Sequence, residues 1–97
     1  MLRLLALSLA LLVLLSACGG AGGEALPADG EQISWERAVE LLYAGEVVSV
    51  LQLHSREVRM GLSNGAMVTT IAPELDLVFD VMMECGAPCA DIMVAME

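Results

Sequence analysis

The hydrophobic and polar positions divide the chain into three parts. Residues 4–15 are apolar throughout except for Ser8, and Arg3 is the only charge before them. At 1.5 Å per residue this twelve-residue run covers about 18 Å as a helix, short of a bilayer core of about 30 Å. A positive start, a short apolar stretch and small residues after it are the form of a secretory signal peptide, here residues 1–17. Residues 19–32, GGAGGEALPADGEQ, are glycine-rich and aperiodic and read as a flexible linker with a reach of about 20 Å. Regular patterning begins at Ile33 and runs to Glu97.

Within 33–97, Ser34 is suited to an N-cap. Trp35, Ala38, Val39 and Leu42 follow at helical spacing, Glu36 and Glu40 lie on the other side, and Gly45 ends the turn, which predicts a helix over 35–44. Residues 46–53, 57–62 and 66–71 read as strands; Val58, Met60 and Leu62 fall on one face of the second, and Asn64-Gly65 predicts a hairpin with a type I′ turn. Pro73, Glu74 and Asp76 mark the start of a second helix over 74–85, with Leu75, Val78, Phe79 and Met82 as its apolar stripe and Gly86 as its stop. Residues 91–96 read as a last strand. The order α-β-β-β-α-β predicts a small single α+β domain with helices packed on a mostly antiparallel sheet.

Composition refines this picture in two ways. The chain is 58% hydrophobic, yet the excess is concentrated in 4–15, so the remainder has the balance of a globular domain. All thirteen acidic residues follow Ala17, against Arg37, Arg56 and Arg59, a balance of about −10 after removal of 1–17. Nucleic-acid binding needs a basic footprint to displace phosphate counterions, and none exists here. The same charge would repel an anionic membrane surface at short range, so the domain face is not expected to do the anchoring.

The end of the apolar run is more specific than a general cleavage site. Leu15-Ser16-Ala17-Cys18 resembles the bacterial lipobox, which implies that the Cys18 thiol receives a diacylglyceryl group and that cleavage makes Cys18 the new N-terminus. Each buried CH₂ is worth about 0.8 kcal/mol, so two or three acyl chains, palmitate among them, would fix the chain to a membrane facing the periplasm or the exterior. Gly19 follows Cys18, and by resemblance to lipoprotein sorting signals the absence of Asp there favours the outer membrane over the inner.

Residues 33–86 resemble the extracytoplasmic domain of the FtsH family of membrane-anchored AAA+ zinc proteases. The residues that carry the likeness are Ile33-Ser34-Trp35, Ala44-Gly45 with Val47 and Val50, Asn64-Gly65, Thr69-Thr70-Ile71-Ala72-Pro73, and Leu77-Val78. The resemblance implies an α+β domain outside the membrane that assists assembly and contacts membrane partners. It does not carry catalysis across. The sequence has no phosphate-binding loop and no lysine, and His54 is its only histidine, so neither an ATPase site nor a His-Glu-x-x-His zinc site is possible within it. No enzymatic activity, cofactor or metal is expected. The expected role is a non-catalytic interaction module that binds an FtsH-type protease or another membrane partner, or self-associates.

Three groups of residues carry the remaining candidate chemistry. Cys85 and Cys89 enclose Gly86-Ala87-Pro88, and an oxidising envelope favours a disulfide between them, with unpaired thiols or a small thiol-redox or metal-handling role as alternatives. Asp76, Asp80 and Glu84 recur every fourth residue and read as the solvated side of the second helix. Met60, Met67, Met82, Met83, Met93 and Met96 serve either as adaptable core filling or as a soft binding surface.

Overall fold

In a computed structural model, residues 25–97 are described. Residues 1–17, expected to be a signal peptide, Cys18 and the first part of the expected linker lie outside the described residues. The elements are helix α1 (Trp35–Tyr43), strands β1 (Val47–Gln52), β2 (Glu57–Leu62) and β3 (Met67–Ile71), helix α2 (Leu77–Cys85), a 3-10 turn (Ala87–Cys89) and strand β4 (Met93–Met96). They form a single α+β domain in the order α-β-β-β-α-β, as the periodicity predicts.

Both ends of α1 follow from its sequence. The Ser34 hydroxyl accepts from the Arg37 backbone N–H at 3.1 Å, which satisfies one of the donors a helix start leaves free. At the other end Gly45 takes φ +75°, its N–H donates to Leu42 O at 3.1 Å, and the Glu46 N–H donates to Leu41 O at 3.1 Å. These two bonds form a Schellman motif, and the positive φ is why glycine stands there. The chain then leaves the helix directly into β1.

The sheet is mixed, with strand order β3-β2-β1-β4. β1 pairs antiparallel with β2 and β2 with β3, whereas β4 returns past α2 and lies parallel to β1. Cross-strand rows follow from the register: Val50, Met60 and Val68 share one face, and so do Gln52, Val58 and Thr70. All six are buried, and they meet Ala38, Leu41 and Leu42 of α1 and Val78 of α2 in one core. The helices therefore cover one face of the sheet.

The structure differs from the sequence reading at three places. Asn64-Gly65 does form the hairpin, but only Gly65 has a positive φ, whereas a type I′ turn needs two such residues. The Gly65 N–H donates to Leu62 O at 2.9 Å and the Leu62 N–H to Ala66 O at 2.8 Å, giving a three-residue loop with glycine at the left-handed position. The second helix begins at Leu77 rather than 74, because Asp76 at φ 63° breaks the helical path behind it. Asp is among the few non-glycine residues that tolerate that conformation.

The third difference concerns the linker. Its last residues are not free chain: the Gly30 N–H donates to Met67 O at 2.7 Å, the Ile33 N–H to Thr69 O at 2.8 Å, and the Thr69 N–H to Glu31 O at 3.1 Å. The Asp29 carboxylate also accepts from the Met67 N–H at 2.7 Å. Residues 29–33 thus run along the outer edge of β3. Glycine content marks conformational freedom, but it does not exclude backbone pairing to an available strand edge.

Gln52 and Thr70 are the polar members of the core among the described residues. The Gln52 side-chain amide donates to the carbonyls of Leu53 at 3.0 Å, Ser55 at 2.9 Å and Glu57 at 3.3 Å, which draws the β1–β2 connection tight. Those bonds offset the desolvation of the amide N–H groups, whereas Gln52 Oε1 and Thr70 Oγ1 are buried without a hydrogen-bond partner among the described residues.

Candidate interaction surface

Among the described residues, no helix lies over the second face of the sheet. The register places Met93, Ser49, Gly61 and Met67 side by side in one row of this face, and Ala95, Leu51, Arg59 and Thr69 in the next. Small residues in the middle of the first row leave a hollow between two methionines. Gly61 is itself buried, since the Ser49 hydroxyl occupies the space where a Cβ would project. The result is an open cavity of about 370 Å³, lined by Ser49, Leu51, Arg59, Met67, Met93 and Ala95 among others.

Met93 is 74% exposed and Met67 46% exposed, so the walls of the hollow are bare thioethers. Flexible, polarisable methionines adapt to partners of different shape. The six methionines after Cys18 divide accordingly. Met60 is fully buried and Met82 half-buried, whereas Met67, Met83, Met93 and Met96 are exposed. Core filling accounts for the first pair and leaves the other four at the surface.

The charge on this face is sparse for so acidic a chain. Arg59 lies at its centre with Nε 3.3 Å from a Glu57 carboxylate oxygen, a half-exposed pair of small energetic weight. Neither of the two rows contains an acidic residue, and Glu57, in the adjoining row beside Ile71, is paired with Arg59.

Cys85 and Cys89 are joined as a disulfide, with their Cα atoms 5.9 Å apart, inside the range such a bridge requires. The 3-10 turn over Ala87–Cys89 explains how three intervening residues bring the two cysteines together. Their sulfurs lie 3.6 and 3.4 Å from the Leu42 carbonyl oxygen at the end of α1. The bridge therefore ties the 3-10 turn to the end of α2, and both sulfurs pack against the end of α1. Cys89 is 5% exposed whereas Cys85 is partly exposed, so a thiolate would reach the bridge from the Cys85 side. Replacing both cysteines by alanine is expected to lower stability by about 2 kcal/mol, the value of closing so short a loop. Thermal unfolding followed by circular dichroism, with and without reductant, measures it: reductant should move the wild type and leave the variant unchanged.

The other candidate residues are dispersed. His54 sits exposed in the β1–β2 connection, and Asp76, Asp80 and Glu84 are all exposed. Among the described residues, no group of three or more His, Cys, Asp or Glu side chains is placed to hold a metal ion, and no helix is long and apolar enough to cross a membrane. Gln52 escapes sequence reasoning, because a single polar residue in a valine-rich strand carries no sign of which way it faces. The bare face escapes it for a related reason: alternation identifies two faces of each strand without saying that only one will be covered. No family model matches this chain, and no curated protein matches it.

Proposed function

We propose that the chain is the precursor of a lipid-anchored, non-catalytic module of the bacterial cell envelope that docks on a protein partner through the bare face of its sheet. The observation that carries the docking role is the hollow between Met67 and Met93, an apolar surface in an otherwise strongly acidic molecule. Exposed apolar patches rimmed by polar residues are where interaction sites form. The anchor is supported by Leu15-Ser16-Ala17-Cys18 after a short apolar run, and Gly19 favours the outer membrane.

The likeness of residues 33–86 to the FtsH extracytoplasmic domain supports a docking role at a membrane-bound assembly, either on an FtsH-type protease or on another membrane partner. The thiol-redox alternative has less support, since among the described residues only the disulfide itself points to it.

The test is recovery of the partner from membranes by a tagged, lipidated chain. The wild type is expected to bring down one defined partner or copies of itself. The double substitution Met67→Glu and Met93→Glu should abolish recovery while leaving the melting temperature nearly unchanged, because exposed positions cost within about 0.5 kcal/mol. A strictly monomeric wild type that recovers nothing would contradict the proposal.

A further inference from the structure

The two edges of the sheet are treated differently. Residues 29–33 occupy the outer edge of β3 through the hydrogen bonds described above, whereas among the described residues no strand is paired beyond β4. The phase of the β4 backbone is fixed by the Glu97 N–H, which donates to Gln52 O of β1 at 3.0 Å. Amides alternate in direction along a strand, so those of Val94 and Met96 face away from β1, toward the open side. Val94 is 51% and Met96 67% exposed, and every residue of β4 is exposed.

Sheet edges are normally protected from added strands by a charge, a proline, a bulge or a covering segment. Met93-Val94-Ala95-Met96 contains no charge and no proline, and its pairing with β1 is regular over all four residues. The charges stand at its two ends instead: Asp91 precedes the strand, Glu97 follows it, and Asp76 borders the same cleft as Met96 and Glu97. We propose that this edge takes a fifth strand from a partner, an extended segment of several apolar or β-branched residues flanked on both sides by lysine or arginine.

Charge chooses this occupant over a second copy of the chain. Two β4 strands paired antiparallel about Val94 would bring Asp91 of each against Glu97 of the other, and like charges directly opposed destabilise a strand pair. A segment with basic ends meets carboxylates at both ends and open amides between them, the pattern of strand addition. The inference rests on the reading of the domain as an interaction module and gives the chemistry of its partner.

The experiment titrates the lipidated chain in detergent micelles against a fluorescent peptide, Lys-Lys-Val-Thr-Val-Thr-Val-Lys-Lys, read by anisotropy. Two control peptides accompany it: one with Glu for each Lys, and one with Gly-Ser-Gly-Ser-Gly at the centre. Saturable binding of the first peptide and neither control is expected. Val94→Pro removes an outward N–H and leaves the amides that face β1, so it should weaken binding by about tenfold with an unchanged circular dichroism spectrum. Asp91→Asn with Glu97→Gln, which leaves the backbone alone, should weaken binding and flatten its salt dependence.

Equal binding of the Gly-Ser control, no binding of the basic peptide, or full binding by Val94→Pro would each overturn the inference. So would a dimer in sedimentation equilibrium that Val94→Pro dissolves, since the occupant would then be a second copy. If the peptide fails while the Met67 and Met93 substitutions still abolish partner recovery, strand addition is lost and the docking face stands. If the peptide binds and those substitutions change nothing, the reverse holds.

Discussion

Replacing Leu42 by alanine is expected to remove a large share of the folding free energy. Leu42 is 0% exposed in the last turn of α1, packed in the core with the sheet and with Val78 of α2. Its carbonyl oxygen also lies 3.4 Å from Cys89 Sγ, so the backbone at this position is packed on its outer side as well. Leucine-to-alanine changes at such positions cost about 2–5 kcal/mol, toward the upper end where the site cannot relax. A domain of this size has roughly 4–11 kcal/mol in all at typical stability per residue. At about 4–8 °C per kcal/mol, the melting temperature should fall by roughly 8–40 °C. Thermal unfolding by circular dichroism measures the shift, and a fall of only a degree or two would mean that α1 is not packed on the sheet as described. Met93→Ala, on the bare face, is the matched comparison and should scarcely move it.

The second large effect concerns location rather than stability. Cys18→Ala is expected to transfer the chain from the membrane fraction to the soluble one, because acyl chains on that sulfur are the proposed anchor and the acidic domain is repelled by anionic lipid. A single chain holds only marginally, and two or three make release negligible, so the change should be nearly complete. Fractionation followed by immunoblotting gives the answer; a variant that stays in the membrane fraction would assign the attachment to another part of the molecule. The same gradient, run on the wild type, distinguishes outer from inner membrane.

The fold was legible in the sequence where local chemistry and tertiary demand agree. Ser34 and Gly45 bound α1 because a capping hydroxyl and a left-handed residue are needed at fixed positions whatever the surroundings. Val58, Met60 and Leu62 reveal one face of β2 because that face is buried. Features decided by distant pairing were not legible. Nothing local in 29–33 announces an attachment to β3, and nothing in Met93–Met96 says that β4 will lie parallel to β1. The turn at Ser63-Asn64-Gly65 is intermediate: the glycine was evident, while the loop length depended on Leu62 pairing with Ala66.

The candidate surface shows the same division. Its methionines stand out by number, but which of them are bare follows from strand order and register, which place Met67 and Met93 at opposite sides of Ser49 and Gly61. Cys85 and Cys89 were readable as a pair because three residues with glycine and proline between them suit a tight turn. The disulfide's contact with Leu42 at the end of α1 was not, since it joins residues more than forty positions apart.

The docking role of the bare face is tested most directly by photo-crosslinking in living cells, with a photoreactive residue placed singly at Met93 in the hollow and at Glu36 on the exposed side of α1. A discrete higher-mass adduct is expected from Met93 and none from Glu36. Adducts of equal intensity from both positions, or from Glu36 only, would contradict it.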